Sequence, residues 1–209
     1  MKKITYSLSE LANHVGGEVQ GNGDIVISSV GTLAGAQSHQ ISFLTNPKYK
    51  AQLKETQAGA VILHEKMKAD SPVAALVVAN PHAAFARIAQ LFDTSPQVAV
   101  GIADSALVAP SANLGSDVSL GHNVIIEENV VIGDRVTIGA NTVVRKGARI
   151  GEGSIIYPNV TVYHDVHIGK RVTIHSQTVI GASGFGYAND KGVWLPIPQT
   201  GSVIIGDDC

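Results

Sequence analysis

A repeat of six residues governs the second half of this chain and limits the folds open to it. Every sixth residue from Ile102 to Ile180 is aliphatic, through fourteen positions. An antiparallel sandwich also has short strands and regular turns. Its apolar and polar residues alternate with a period of two, however, and that pattern would not place an aliphatic residue at every sixth position through fourteen repeats. The positions are Ile102, Val108, Leu114, Leu120, Ile126, Ile132, Ile138, Val144, Ile150, Ile156, Val162, Ile168, Ile174 and Ile180.

The residues between the aliphatic positions predict how each repeat is built. We expect each hexad to form a short strand and a bend, so that three hexads close a triangular coil and successive coils stack about 4.8 Å apart. Each aliphatic side chain buried inside contributes roughly 1.5 to 3 kcal/mol. Small residues recur four positions after it, which prevents overpacking, and glycine often follows it directly, where we expect it to allow the backbone conformation of a tight corner.

The repeat loses phase after Ser183 and resumes at Ile205. The segment between them predicts a loop inserted at about residues 184–202, and it holds Phe185, Tyr187 and Trp194 in a chain with only 5% aromatic residues. Insertions in repeat folds project from the surface and often bind ligands. A loop that packs subunits together is the alternative interpretation.

The first half of the chain alternates between helix-like and strand-like patterns. Ser7 and Glu10 have the spacing of a capping box, and Gly16-Gly17 supplies a helix stop. Asn80-Pro81 is typical of the start of another helix. A small α/β domain is therefore predicted. Its apolar, strand-like runs are residues 25–30, 60–63 and 74–78.

The mixed helix and strand patterns of the first half differ from the six-residue repeat of the second half. The sequence therefore predicts two domains, residues 1–98 and 99–209, with Ser95-Pro96-Gln97 as the linker. The formal net charge of -2 provides no broad basic surface for nucleic acid or anionic lipid. The one cysteine, Cys209, cannot form an internal disulfide, which fits a reducing compartment. No signal peptide or transmembrane segment is recognisable, so we expect a cytoplasmic protein.

Three motifs together resemble a known family of enzymes. They are Asn46-Pro47-Lys48-Tyr49, the hexad array, and Gly184-Phe185-Gly186-Tyr187-Ala188-Asn189-Asp190. The chain is similar over essentially all of its 209 residues to the UDP-3-O-(3-hydroxyacyl)glucosamine N-acyltransferases of lipid A biosynthesis, which are hexapeptide-repeat proteins. Ser183 departs from that pattern, because relatives commonly carry an acidic residue before Gly-Phe-Gly. The resemblance implies a mainly β fold, in which a left-handed parallel β-helix follows a small α/β uridine-binding domain.

The resemblance also implies a reaction. A 3-hydroxyacyl chain, carried on the phosphopantetheine of acyl carrier protein, would pass to the 2-amino group of UDP-3-O-(3-hydroxyacyl)glucosamine in a homotrimer, without another cofactor. Phe43 and Tyr49 would stack on uracil, and Asn46 would form a hydrogen bond with the nucleotide. The candidate substrate or acyl-chain loop consists of Phe185, Tyr187 and Asn189.

The catalytic base of such enzymes is a histidine in a cleft between subunits. None of the eight histidines of this chain matches its motif, so the resemblance places that residue beyond Cys209. The chain is then expected to be truncated at its C-terminus, without a catalytic residue and without turnover. The last residues stop within a hexad and form no cap, which fits this expectation.

The remaining histidines raise the hypothesis of a metal site. His122 and His164 are separated by two coils and one side of the triangle, so we expect them to face different directions, about 10 Å apart along the axis. Zinc ligands lie about 2.0 Å from one ion, so no metal is predicted. Two alternative functions stay open, an acetyl-coenzyme A-dependent sugar-nucleotide acetyltransferase and a non-catalytic nucleotide-binding module.

Overall fold

The computed structural model describes residues 4–95 and 98–209, and the chain divides into two compact units between Ser95 and Pro96. Pro96 and Gln97, which belong to the predicted linker, lie outside the described residues. Within residues 4–95 the strands and helices are, in chain order, β1 (Tyr6–Ser7), α1 (Leu8–Val15), β2 (Glu18–Gln20), β3 (Val26–Ile27), β4 (Ser29–Val30), β5 (Gln40–Phe43), α2 (Lys50–Glu55), β6 (Ala60–Leu63), β7 (Ala74–Val77) and α3 (Pro81–Leu91).

A five-stranded sheet in the order β2-β7-β6-β5-β4 organises the N-terminal unit. Strands β4 to β7 are parallel, and β2 joins the edge antiparallel to β7. Helix α1 begins with the predicted capping box, because Glu10 N donates to Ser7 Oγ at 3.2 Å and Ser7 N donates to Glu10 Oε2 at 2.7 Å. Gly16 ends the helix with a φ of +68°, as its position predicts.

Helices cover both faces of this sheet. On one face, α1 and α3 pack Leu11 and Ile88 against Ile41 and Ile62 of the sheet. The opposite face forms a second core around Leu53 of α2. The predicted run at residues 25–30 is divided into two strands that belong to different sheets, because β3 pairs with β1 while β4 pairs with β5.

The second unit is built from strands of two residues. Each of the fourteen aliphatic positions is the last residue of such a strand, which confirms the predicted period. The strands are β8 (Gly101–Ile102), β9 (Leu107–Val108), β10 (Asn113–Leu114), β11 (Ser119–Leu120), β12 (Ile125–Ile126), β13 (Val131–Ile132), β14 (Thr137–Ile138), β15 (Val143–Val144), β16 (Arg149–Ile150), β17 (Ile155–Ile156), β18 (Thr161–Val162), β19 (His167–Ile168), β20 (Thr173–Ile174), β21 (Val179–Ile180), β22 (Tyr187–Asp190), β23 (Val193–Pro196) and β24 (Ile204–Ile205).

Three parallel sheets form the sides of the coil. Their strand orders are β8-β11-β14-β17-β20, β9-β12-β15-β18-β21 and β10-β13-β16-β19-β24. Ile150 pairs with Ile132 on one side and with Ile168 on the other, so residues one coil apart stack as predicted. The interior contains these aliphatic side chains and the small residues four positions further on. Thr142 and Ser154 also lie there, and each buried hydroxyl donates a hydrogen bond to a backbone carbonyl of the next coil.

The structure corrects the role predicted for the glycines that follow the aliphatic residues. A left-handed backbone occurs instead at every sixth residue from Asp117 to Gln177, with φ between +53° and +72°. Asparagine, aspartate and glycine occupy most of these corners, since they adopt this conformation most readily. The glycines at 115, 121, 133, 139, 151 and 169 have no positive φ. A Cβ there would lie only 2.5 to 2.8 Å from a backbone atom of the next coil, so they permit close stacking.

The predicted insertion leaves the coil as a β-hairpin. Strands β22 and β23 pair antiparallel, and β24 then stacks on β19 with Ile205 opposite Ile168. This pairing confirms that the repeat resumes at Ile205. In the part of the chain that the structure describes, no helix has the length and hydropathy to cross a bilayer.

Candidate functional site

The residues predicted to bind uridine, Phe43, Asn46 and Tyr49, lie at one edge of the N-terminal sheet. Phe43 is the last residue of β5, and the chain turns directly after it into a 3-10 helix at Pro47–Tyr49. Strands β5, β6 and β7 are parallel, so their carboxyl ends share this edge. Ligands of open α/β sheets bind outside the carboxyl ends of the strands. The local sequence therefore places all three predicted residues at the edge where the fold favours a ligand.

Asn46 fixes the turn between the two predicted aromatic residues. Its side-chain Oδ1 accepts a hydrogen bond from Lys48 N at 3.0 Å, and its carbonyl oxygen accepts one from Tyr49 N at 3.0 Å. The carboxamide oxygen thus accepts from the backbone, while Asn46 as a whole is exposed, so its amide nitrogen can donate to a ligand. Tyr49 is half exposed. The turn therefore offers one hydrogen-bond donor and one half-exposed aromatic ring, while the described ring contacts of Phe43 are with α3.

Two aromatic residues that the sequence analysis did not select lie against Phe43. The ring centroid of Phe85 is 4.3 Å from that of Phe43, and the ring of His82 is 5.5 Å away and almost parallel, with an interplanar angle of 11°. Both residues belong to α3, which begins after β7 at the same edge of the sheet. The Asn80-Pro81 pair could have indicated this, because it repeats the Asn46-Pro47 pair at the end of another parallel strand.

The hairpin brings together the aromatic residues predicted for the second candidate site. Phe185 and Tyr187 have ring centroids 5.3 Å apart, and Trp194 joins them in lining one recess. All three are exposed, Phe185 to 98%. Asn189 serves the turn itself, because its Oδ1 accepts a hydrogen bond from Gly192 N at 3.1 Å. The apolar recess can receive a hydrocarbon chain or an apolar protein surface.

One side of the β-helix presents apolar residues to solvent. On the sheet formed by β9, β12, β15, β18 and β21, the outward residues Leu107, Ile125 and Val179 are 66%, 37% and 54% exposed. Val143 and the one polar member of the column, Thr161, lie half-buried. At the border of this face the guanidinium of Arg145 lies over the ring of Tyr163 at 5.3 Å. We call this the apolar face.

Three of the four histidines of the β-helix have described side-chain contacts, and these contacts are separate from one another. His122 Nδ1 lies 3.0 Å from Ser105 Oγ, His164 Nδ1 lies 3.5 Å from Asp165 Oδ2, and the His175 ring stacks on Tyr157. Among residues 4–95 and 98–209 no group of three or more His, Cys, Asp or Glu side chains could hold a metal ion.

Carboxylates tie successive coils together at the corners. Asp134 Oδ1 accepts a hydrogen bond from Ser116 N at 2.8 Å, and this bond is the main reason that the pKa of Asp134 lies below its ordinary value. Asp208 pairs with the guanidinium of Arg171, which lowers the pKa of this carboxyl in the same way. Both carboxylates are exposed and join neighbouring coils at the surface.

Three parallel sheets wound at a period of eighteen residues define the class of the protein, a left-handed parallel β-helix of the bacterial hexapeptide transferases, whose sequence model matches residues 102–146 and 147–182. A second model, for UDP-3-O-(3-hydroxymyristoyl) glucosamine N-acyltransferase, matches residues 24–91. Along nearly its whole length the chain is similar to curated UDP-3-O-acylglucosamine N-acyltransferases.

Two curated relatives bear that name. The protein of Idiomarina loihiensis is 50% identical over 203 residues, which are 97% of this chain and 60% of the relative. That of a Shewanella species is 57% identical over 207 residues, 99% of this chain and 60% of the relative. The chain therefore spans about 60% of the length of these relatives. Among solved structures, a UDP-N-acetylglucosamine acyltransferase from Bacteroides fragilis is 25% identical, covers 52% of this chain and 42% of its own, and has a TM-score of 0.34.

Proposed function

We propose that this chain forms the uridine-binding domain and the first coils of an N-acyltransferase. The reaction is transfer of a 3-hydroxyacyl chain from acyl carrier protein to the 2-amino group of UDP-3-O-(3-hydroxyacyl)glucosamine, a step in the assembly of lipid A. The observation that carries the proposal is the position of Phe43, Asn46 and Tyr49. They lie at the carboxyl edge of a parallel sheet, inside the segment that matches the family.

The chemistry of these residues suits uracil. An aromatic face can stack on the base, and the free amide nitrogen of Asn46 can donate to a carbonyl oxygen of uracil, since its own oxygen is held by Lys48 N. Tyr49, half exposed next to that turn, supplies the second aromatic surface. The proposed assignment is therefore stacking by Phe43 and Tyr49 and base recognition by Asn46.

We assign the hairpin to the acyl chain of a substrate and the apolar face to contact between subunits. The recess of Phe185, Tyr187 and Trp194 suits the acyl chain of a substrate, because it is aromatic and apolar, and Asn189 holds the turn that presents it. The apolar face suits a second copy of this chain, since exposed aliphatic columns of this size are covered in oligomers. We assign it to a homotrimer, the assembly in which the family places its catalytic cleft.

The catalytic base is placed outside residues 1–209, on the part of the relatives' length that this chain does not span. The ground for this assignment is that none of the eight histidines of this chain lies in a motif that matches the family's catalytic histidine. Apart from the phosphopantetheine of the donor, the proposed reaction needs no cofactor. The balanced charge and single cysteine favour the cytoplasm as its location.

The proposal is tested by ligand-induced melting of the 209-residue chain. UDP-N-acetylglucosamine at 100 times its Kd should add about 2.7 kcal/mol of stability. Phe43→Ala should remove this gain, which is measured from the melting temperature of the free variant because Phe43 also packs against the core. Tyr157→Ala, an aromatic substitution in the β-helix, should keep the gain. Stabilisation by coenzyme A without any effect of uridine nucleotides would instead support the acetyltransferase alternative. Transfer of a hydroxyacyl group by this chain alone would contradict the placement of the base.

A further inference from the structure

The ring of Phe43 belongs to a cluster of three rings. Phe85 approaches to 4.3 Å between centroids with an interplanar angle of 29°, and His82 lies at 5.5 Å with an angle of only 11°. Both separations are typical of offset stacking in proteins. The plane of Phe43 is therefore set by neighbouring aromatic side chains as well as by the backbone of β5.

Both neighbours come from one face of α3. Residues three apart on a helix lie on the same side, so His82 and Phe85 reach Phe43 together. The first turn of α3 is fixed by Asn80, whose Oδ1 accepts a hydrogen bond from Ala83 N at 3.1 Å. The position of His82 is thus determined by a capped helix start.

The two neighbours differ in their surroundings. Phe85 is half-buried and packs against the core of α1, α3 and the sheet, so its removal would disturb the fold. His82 is exposed and makes its described ring contact with Phe43. A substitution of His82 therefore changes the surroundings of Phe43 and leaves the core intact.

We propose that His82 is a positioning residue of the uridine site, which holds the ring of Phe43 in the plane that receives uracil. This inference rests on the proposed function. A side chain that must be ordered on binding weakens affinity by about twofold to tenfold, and His82 removes that loss by ordering Phe43 in advance. The contribution comes from the flat imidazole ring, so another flat aromatic ring can replace it.

The test measures the Kd for UDP by titration calorimetry on the full 209-residue chain. His82→Ala should raise the Kd about twofold to tenfold, with the melting temperature of the free protein unchanged. His82→Phe should restore the affinity of the parent chain, because it keeps the stacked ring. Gln90→Ala, an exposed substitution on the same helix, is the matched control and should leave the Kd as it is.

Each outcome decides a separate question. Unchanged affinity of His82→Ala overturns the positioning role, and a Kd of His82→Phe as high as that of His82→Ala overturns stacking as its basis. Phe43→Ala, measured in parallel, tests the site itself. If that variant binds UDP like the parent chain, the proposed uridine site is wrong irrespective of His82.

Discussion

Two glycines in one coil should differ in how strongly, and for what reason, the same substitution destabilises the fold. Gly151 lacks a positive φ, but a Cβ there would lie 2.5 Å from the backbone carbonyl carbon of Gly169. Gly153 has a φ of +68°, and a Cβ there would meet only a side-chain carbon of Arg171 at 3.7 Å. Gly151→Ala must therefore push two coils apart, whereas Gly153→Ala only strains its own backbone.

The expected magnitudes follow from these contacts. Overpacking that displaces backbone costs about 1 to 3 kcal/mol, and here no flexible side chain can yield. The left-handed strain at Gly153→Ala costs about 1 to 2 kcal/mol and is partly offset by about 0.4 to 1 kcal/mol from the stiffer unfolded chain. Gly153→Asn should be milder still, since asparagine fills the equivalent corners at 123, 141 and 159. Urea unfolding of the three variants gives the order directly. If Gly151→Ala proves no more destabilising than Gly153→Ala, the close-stacking account is refuted.

Two further outcomes test the surfaces of the β-helix. Val179→Asp puts a charge in the apolar face and should convert the proposed homotrimer into a monomer in sedimentation equilibrium, whereas Thr173→Asp on another sheet should leave the mass unchanged. An unchanged mass for Val179→Asp would remove the apolar face from the proposed interface. Because the folded-state pKa of Asp134 is lowered by Ser116 N–H, its contribution is present above the unfolded pKa and lost as the pH falls through the folded value. Stability should therefore fall below about pH 4, and Asp134→Asn should flatten that dependence in acid-titrated urea unfolding.

The sequence predicted the β-helix in detail because its signal is repeated. Each coil imposes the same demand, an aliphatic residue inside and a small one four positions later, so single departures do not hide the period. Stacking of Ile132, Ile150 and Ile168 follows from that period alone. The glycine error had a different cause. Glycine at regular intervals shows that a side chain is not tolerated at those positions. It does not show whether a positive φ or the backbone of the neighbouring coil is the reason.

The N-terminal unit was harder to predict because its contacts are not periodic. Strand β2 has three residues with one apolar side chain, too few to show an alternation. Ser42 is buried in β5 and interrupts the apolar run that would have marked this strand, and its hydroxyl has no hydrogen-bond partner among the described residues. The pattern of apolar residues in β2 and in β5 is therefore no different from that of a loop.

The candidate uridine site was predictable only in part for the same reason. The resemblance supplied Phe43, Asn46 and Tyr49, which lie within seven residues of chain. His82 comes from a helix almost forty residues later and reaches Phe43 only because the intervening strands are parallel. Sheet order is a long-range property, so motif reading alone could not place this residue at the site.

The β-helix separates the residues that stabilise it from those that can face partners. Each two-residue strand directs its second side chain inward and its first side chain outward, so the outer columns are free of the packing demand. On one sheet that column is aliphatic except for Thr161, whereas on another Arg149 and His167 interrupt it. The other members of the second column are Asn113, Val131 and Ile204. The interior would tolerate either pattern equally. The larger share of aliphatic residues in the first column is the reason that the apolar face is the one proposed for a second copy of the chain.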